Sequence, residues 1–174
     1  MNLTLTLNNF NEALFQLLEN DSYLLKANLS ERSIAHRLAL NLTKLFSDFD
    51  VDCEYNGDID NAGLRKILDI PREVMEELAV RSINENDTYN IFPDIILHQR
   101  GSNAENHLVI EIKKSNSYHK LREYDIVKLK AFTNQYQYRL GVFLELGTGK
   151  NVGQYEILYF QKGEQRELEQ LLDF

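Results

Sequence analysis

One cysteine, Cys53, leaves no partner for an intrachain disulfide and no thiolate set for a structural zinc site. No stretch reaches the roughly 18 uninterrupted apolar residues of a membrane-spanning helix. The opening MNLTLTLNNFNEALFQLLEN has no basic start and no small-residue cleavage site, so it does not read as a signal peptide. With a lone cysteine, that makes a cytoplasmic protein the expectation. Only two prolines, and few glycine clusters, argue against a flexible linker. A single domain over residues 1–174 is expected, long enough for a sizeable core. Basic residues are also short: 19 Lys and Arg face 27 Asp and Glu, a net charge of −8. A protein that grips phosphates usually carries a basic face. The deficit is uneven, however. Residues 1–90 hold 8 basic against 16 acidic side chains, whereas residues 100–139 hold 8 against 4.

Hydrophobic content of 43% and charged content of 26% are those of a globular chain. Leu3, Leu5 and Leu7 alternate and suggest a short strand, followed by a helix over 10–19. Ser30 reads as the N-cap of a helix running to about Phe49, with the apolar stripe Ile34, Leu38, Leu42, Leu45 and Phe49. VDCEYN (51–56) is a strand candidate closed by a turn at Gly57 and Asp58. Residues 62–83 read as helical, with Pro71 in a first turn, inside an insertion covering 57–90. Strands follow at 91–99 and 107–113, then a helix from about Tyr118 to Gln135. Two further strands, 139–146 and 154–162, flank the turn GTGKNVG, and a short amphipathic helix closes the chain. A three-strand meander followed by a helical crossover predicts an α/β (α+β) fold with a mixed central sheet.

Chemistry concentrates in NIFPDIILHQ and NHLVIEIKK. Side chains alternate across a strand. Glu111 and Lys113 therefore share a face with Val109, and Asp94 shares one with Ile96 and His98. If the strands pair through the 100–106 loop, Asp94 and Glu111 approach each other at the sheet rim and repel unless a cation separates them. Their oxygens, with the Ile112 carbonyl and water, suit Mg²⁺, with Mn²⁺ as a substitute. Such an ion activates water and neutralises charge on a phosphate, and Lys113 would orient that water. The competing reading is a solvated edge pair. Glu31, three residues before Ile34, extends the apolar stripe of its helix towards the sheet. It reads as a further metal ligand or as a first-turn acid favoured by the helix dipole. Lys128 and Lys114 are candidate phosphate contacts. For Asp125 the stronger reading is a local i,i+3 ion pair with Lys128.

Pro93-Asp94 followed by Glu111-Ile112-Lys113 resembles the PD-(D/E)XK nuclease superfamily, the restriction-endonuclease-like fold. The expected order of helix, three antiparallel strands, helix and strand is similar to that family's core over about residues 30–146. Glu31 in SERSIAHRLALNL stands where the family often carries a helix glutamate. The resemblance implies Mg²⁺-dependent hydrolysis of DNA, more than RNA, with Asp94 and Glu111 as metal ligands and Lys113 assisting the nucleophile. It also implies a homodimer or a partner subunit. The alternative is a catalytically inactive binding or regulatory subunit of the same fold.

Other residues carry weaker signals. His98 reads as a hydrogen-bonded rim residue, His36 and His119 as solvated, and Cys53 as a packed strand residue. Glu54 and Tyr55 are marginal candidates for the cleft. Tyr136, Tyr138, Tyr155 and Tyr159 read as half-buried sheet residues rather than base-stacking platforms. GTGKNVG lacks the order of a phosphate loop and reads as a hairpin turn.

Overall fold

A computed structural model describes residues 1–55, 57–58, 64–78 and 91–172. The chain begins with helices α1 (Leu3–Asn20), α2 (Ser22–Lys26) and α3 (Glu31–Leu45). Strand β1 (Asp50–Cys53) is followed by the two-residue pair β2 (Gly57–Asp58) and β3 (Leu64–Arg65), then helix α4 (Arg72–Glu77). Next come β4 (Ile95–His98), β5 (Leu108–Lys114), helix α5 (His119–Gln135) and β6 (Leu140–Leu146). A single 3-10 turn at Gly149–Asn151 leads to β7 (Tyr155–Gln161), β8 (Glu164–Arg166) and helix α6 (Leu168–Leu172).

Six strands form one mixed sheet in the order β1-β4-β5-β6-β7-β8. Every neighbouring pair is antiparallel except β5 and β6. A parallel pair needs a long crossover, and α5 supplies it. The α+β architecture and the meander β1-β4-β5 follow the expectation from the sequence.

Both sheet faces are covered, which is why LVIEI in β5 reads as nearly continuous apolar sequence. On one face Ile95, Leu97, Leu108, Ile110 and Ile112 pack under α1 and α3 through Phe10, Leu14, Ile34, Leu38 and Leu42. On the other, Ile96, Val109, Phe143 and Phe160 meet Leu129 and Phe132 of α5. Gly141 permits that contact: a Cβ there would stand 3.0 Å from Thr133 Cγ2 and 3.2 Å from Phe160 Cβ. Among the described residues no helix is long and apolar enough to cross a membrane.

Several expectations are corrected. Leu3, Leu5 and Leu7 lie in α1, not a strand. Burial of Leu7, Phe10, Leu14 and Leu17 follows helical spacing over 18 residues, and this longer pattern overrides the short alternation. The Asn2 side chain caps α1 by accepting from Leu5 N at 2.8 Å. Ser30 does cap α3, accepting from Ser33 N, but the helix stops at Leu45 and Phe49 packs from the following loop. Gly57 and Asp58 form β2 rather than a turn. Leu64–Arg65 is a strand, and the helix within 62–83 spans only Arg72–Glu77, with Pro71 as its N-cap residue. The rest of that expected helix, from 79 on, lies outside the described residues. Cys53 is exposed rather than packed. The closing segment holds a strand, β8, before its helix.

Candidate active site

The β4-β5 register pairs Ile95 with Ile110 and Ile96 with Val109. Continued by one residue, it sets Asp94 opposite Glu111 on the face covered by α5. Asp94 stands at the mouth of β4, where its Oδ2 accepts the Ile112 amide at 2.7 Å. The carboxylate thus takes over from the backbone ladder and is locked at the rim. Its own carbonyl accepts from Glu54 N, which ties it to the end of β1.

Glu111 is fully buried. Its Oε2 lies 2.7 Å from Lys128 Nζ of α5, while its Oε1 has no hydrogen-bond partner. Lys128 Nζ is also 2.8 Å from Asp125 Oδ1, one helical turn earlier. Asp125 Oδ2 in turn is 2.8 Å from Lys113 Nζ. Lys113 reaches Glu31 Oε2 at 3.3 Å. Glu31 Oε1, at the first turn of α3, accepts Lys114 N at 3.0 Å and Ser117 Oγ at 3.1 Å. One chain of contacts therefore runs from α3 through the ends of β5 and β4 to α5.

The electrostatics follow from this arrangement. Four carboxylates (Asp94, Glu111, Asp125, Glu31) meet two ammonium groups (Lys113, Lys128), so full ionisation leaves two negative charges uncompensated. Burial pushes the Glu111 carboxyl well above the ordinary range; Lys128 opposes the shift, and Asp125 and Asp94 add to it. Burial likewise raises Asp94, against the Ile112 hydrogen bond and the two lysines. Burial alone would lower Lys113, but Asp125 and Glu31 more than offset it and hold its ammonium above the ordinary value. Lys128 is raised in the same way, with Glu111 and Asp125 outweighing the desolvation.

Sequence reasoning named Asp94, Glu111, Lys113, Glu31 and Lys128, and the fold brings all five together. The Asp125–Lys128 pair exists, but Asp125 is more than a local partner: it is 2% exposed and joins both lysines. Its signal was available, because 125, 128, 129 and 132 are the sheet-facing positions of α5 and two of them are charged. Ser117 carried no comparable signal. Lys128 does not stand free to meet a phosphate; it is buried among carboxylates. Lys114 lies on the opposite strand face, its ammonium at the surface 3.3 Å from Leu29 O. The Ile112 main chain reaches the cluster through its amide, which donates to Asp94 Oδ2.

The surroundings sort as follows. A small pocket of about 130 Å³ opens on Asp94, lined by Arg32, Ala35, Cys53 and Glu54. Glu54 pairs with Arg32 across it at 2.6 Å. His98 bonds Asp52 at 2.9 Å and packs against Tyr55 with the rings tilted by 51°. His36 and His119 are exposed. Tyr138 and Tyr159 are buried, whereas Tyr155 is exposed. Beyond Lys113, Arg122 bridges Glu145 and Glu156 at 2.7 and 2.8 Å.

Among the described residues, no three His, Cys, Asp or Glu side chains already converge as a closed metal cage. Asp94 and Glu111 are the facing carboxylates that could hold a hard divalent ion, with water completing its shell. The partnerless Glu111 Oε1 and the excess negative charge are the two observations that suit a divalent cation there.

Fold and site together define an α+β protein with a mixed sheet and a buried carboxylate–lysine cluster at its rim. No protein-family model, curated protein or solved structure matches the chain.

Proposed function

We propose that this protein is a metal-dependent nuclease of the restriction-endonuclease-like, PD-(D/E)XK type, hydrolysing phosphodiesters of DNA rather than RNA. The observation that carries the reading is Asp94 facing Glu111, whose Oε1 is buried without a hydrogen-bond partner, with the Lys113 ammonium two residues on along the same strand face. The succession α3, β1, β4, β5, α5, β6, with three antiparallel strands and then a parallel one, supports the same reading.

Asp94, Glu111 and the Ile112 carbonyl would hold Mg²⁺, or Mn²⁺ in its place, with Glu31 as a further ligand through water. When bound, the ion supplies Lewis acidity and charge neutralisation at the scissile phosphate. Lys113 orients the attacking water, its own position set by Asp125 and Glu31 on either side. Asp125 keeps that ammonium charged. Glu31 couples the α3 N-terminus to the end of β5 through the Lys114 amide. Lys114, its ammonium at the surface, would contact a neighbouring phosphate. The acidic body limits non-specific affinity, which suits a homodimer or a partner subunit that brings the substrate.

The test is cleavage of plasmid, linear and single-stranded DNA with Mg²⁺ or Mn²⁺. Asp94→Ala and Lys113→Ala should each abolish it. Equal activity in both variants and the wild type would mark a contaminant and end the assignment.

A second reading is a non-catalytic binding or regulatory subunit. It is favoured by both lysines being already engaged with carboxylates. It requires that calorimetry detect no Mg²⁺ or Mn²⁺ binding and that Glu111→Gln leave function intact.

A further inference from the structure

Lys128 occupies an unusual position for a surface-rich residue type. Its ammonium is 2.7 Å from Glu111 Oε2 and 2.8 Å from Asp125 Oδ1, lies 5.1 Å from the Tyr124 ring centroid, and is almost fully buried. It takes one of the two oxygens of the very carboxylate whose other oxygen has no partner. Asp125 lies on the same helix as Lys128 at i,i+3. The ammonium therefore has an anchor that does not depend on Glu111.

We infer that Lys128 is a resident counter-cation that competes with the divalent ion for Glu111 and falls back on Asp125 when the ion enters. This rests on the metal reading above and adds to it a regulator of metal occupancy. Two cations cannot share the Glu111 carboxylate at close range without mutual repulsion in a site screened from water. An ion on Oε1 therefore works against the ammonium on Oε2, pushing it towards Asp125, and that repulsion subtracts from the binding free energy. Without the ion, the same ammonium keeps Asp94, Glu111 and Asp125 from driving the rim apart. The site is thereby preassembled yet weak for metal, so occupancy follows the ambient divalent concentration rather than saturating at trace levels.

The experiment is calorimetric titration of the purified full chain with Mn²⁺ alone at pH 8, without nucleic acid, comparing wild type with Lys128→Met. The expected result is at least a tenfold tighter dissociation constant in Lys128→Met. Unchanged or weaker binding overturns the inference while wild-type binding leaves the metal reading standing. Binding by neither protein overturns both. Should Lys128→Met not fold without metal, Lys128→Gln, which keeps a hydrogen-bond donor for Glu111, takes its place with the same tenfold criterion. A second readout is the Mn²⁺-induced rise in melting temperature at fixed ion concentration. It should be larger in the variant, and an equal rise counts against the competition.

Discussion

Glu111→Gln should stabilise the metal-free protein while removing its response to metal. The carboxylate is fully buried, one of its oxygens is unpartnered, and it faces Asp94 and Asp125. An unsatisfied buried polar group costs about 1–3 kcal/mol, more when it is charged. Glutamine keeps an oxygen for Lys128, removes the desolvated charge and relieves repulsion with both neighbours. What it loses is the attraction to Lys128, but that ammonium retains Asp125 at 2.8 Å. Because carboxylates outnumber ammonium groups in the cluster, relief wins, and a net gain of about 1–2 kcal/mol is expected. For a chain of this size that is a rise of about 2–8 °C in melting temperature. Urea and thermal denaturation in EDTA would measure it. Saturating Mg²⁺ should stabilise the wild type, by about 2.7 kcal/mol at a hundredfold excess over the dissociation constant, and leave Glu111→Gln unmoved. The pH dependence provides an independent check. The folded Glu111 pKa is raised, so its stabilising contribution is present below the ordinary value of 4.5 and is lost as pH rises through the folded value. Metal-free wild type should therefore lose stability relative to Glu111→Gln as pH climbs from 4.5 to the folded value, and level off above it. A variant less stable than wild type by more than about 1 kcal/mol in EDTA would refute the reasoning, since Glu111 would then be a net stabilising partner of Lys128.

Ser30→Ala removes the side-chain cap on Ser33 N and should cost about 1 kcal/mol, read by urea denaturation; no loss would mean the cap is replaced by solvent. His107 bonds Thr6 Oγ1 at 2.8 Å and stacks on Phe49, and burial lowers its pKa to about 4. Its contribution is complete above the ordinary 6.5 and is lost as pH falls towards 4, because unfolding then takes up a proton. An NMR titration should place the imidazole midpoint near 4, and a midpoint above 6 would contradict the burial. Leu38→Ala, in the centre of the α3 contact with the sheet, should cost about 2–5 kcal/mol. That large loss would contrast with the gain expected at Glu111, and the two together separate core packing from the charge cluster.

Much of the fold was legible because the strands and long helices carry periodic apolar patterns. Asp94 and Glu111-Ile112-Lys113 were legible as a candidate site because acidic residues interrupt apolar strands at positions facing the same way. The missed elements have local causes. Leu3, Leu5 and Leu7 alternate over too few residues to outweigh the helical spacing that continues to Leu17. The segment before Ile91 has weak periodicity in either direction, so its short strands and the length of α4 could not be read from pattern.

The sequence by itself determined that Glu111 and Lys113 share a strand face, that Ser30 opens a helix and that a crossover must separate two parallel strands. Those are consequences of fixed backbone periods and of local hydrogen bonding. Tertiary structure alone decided the partners. It placed Asp125 between Lys113 and Lys128, turned Glu31 onto the Lys114 amide, buried Lys128 against Glu111 and left Glu111 Oε1 without a donor. The physical reason is that charge pairing in a desolvated cluster depends on distances of a few ångströms between residues up to 86 positions apart, and no local pattern encodes those distances.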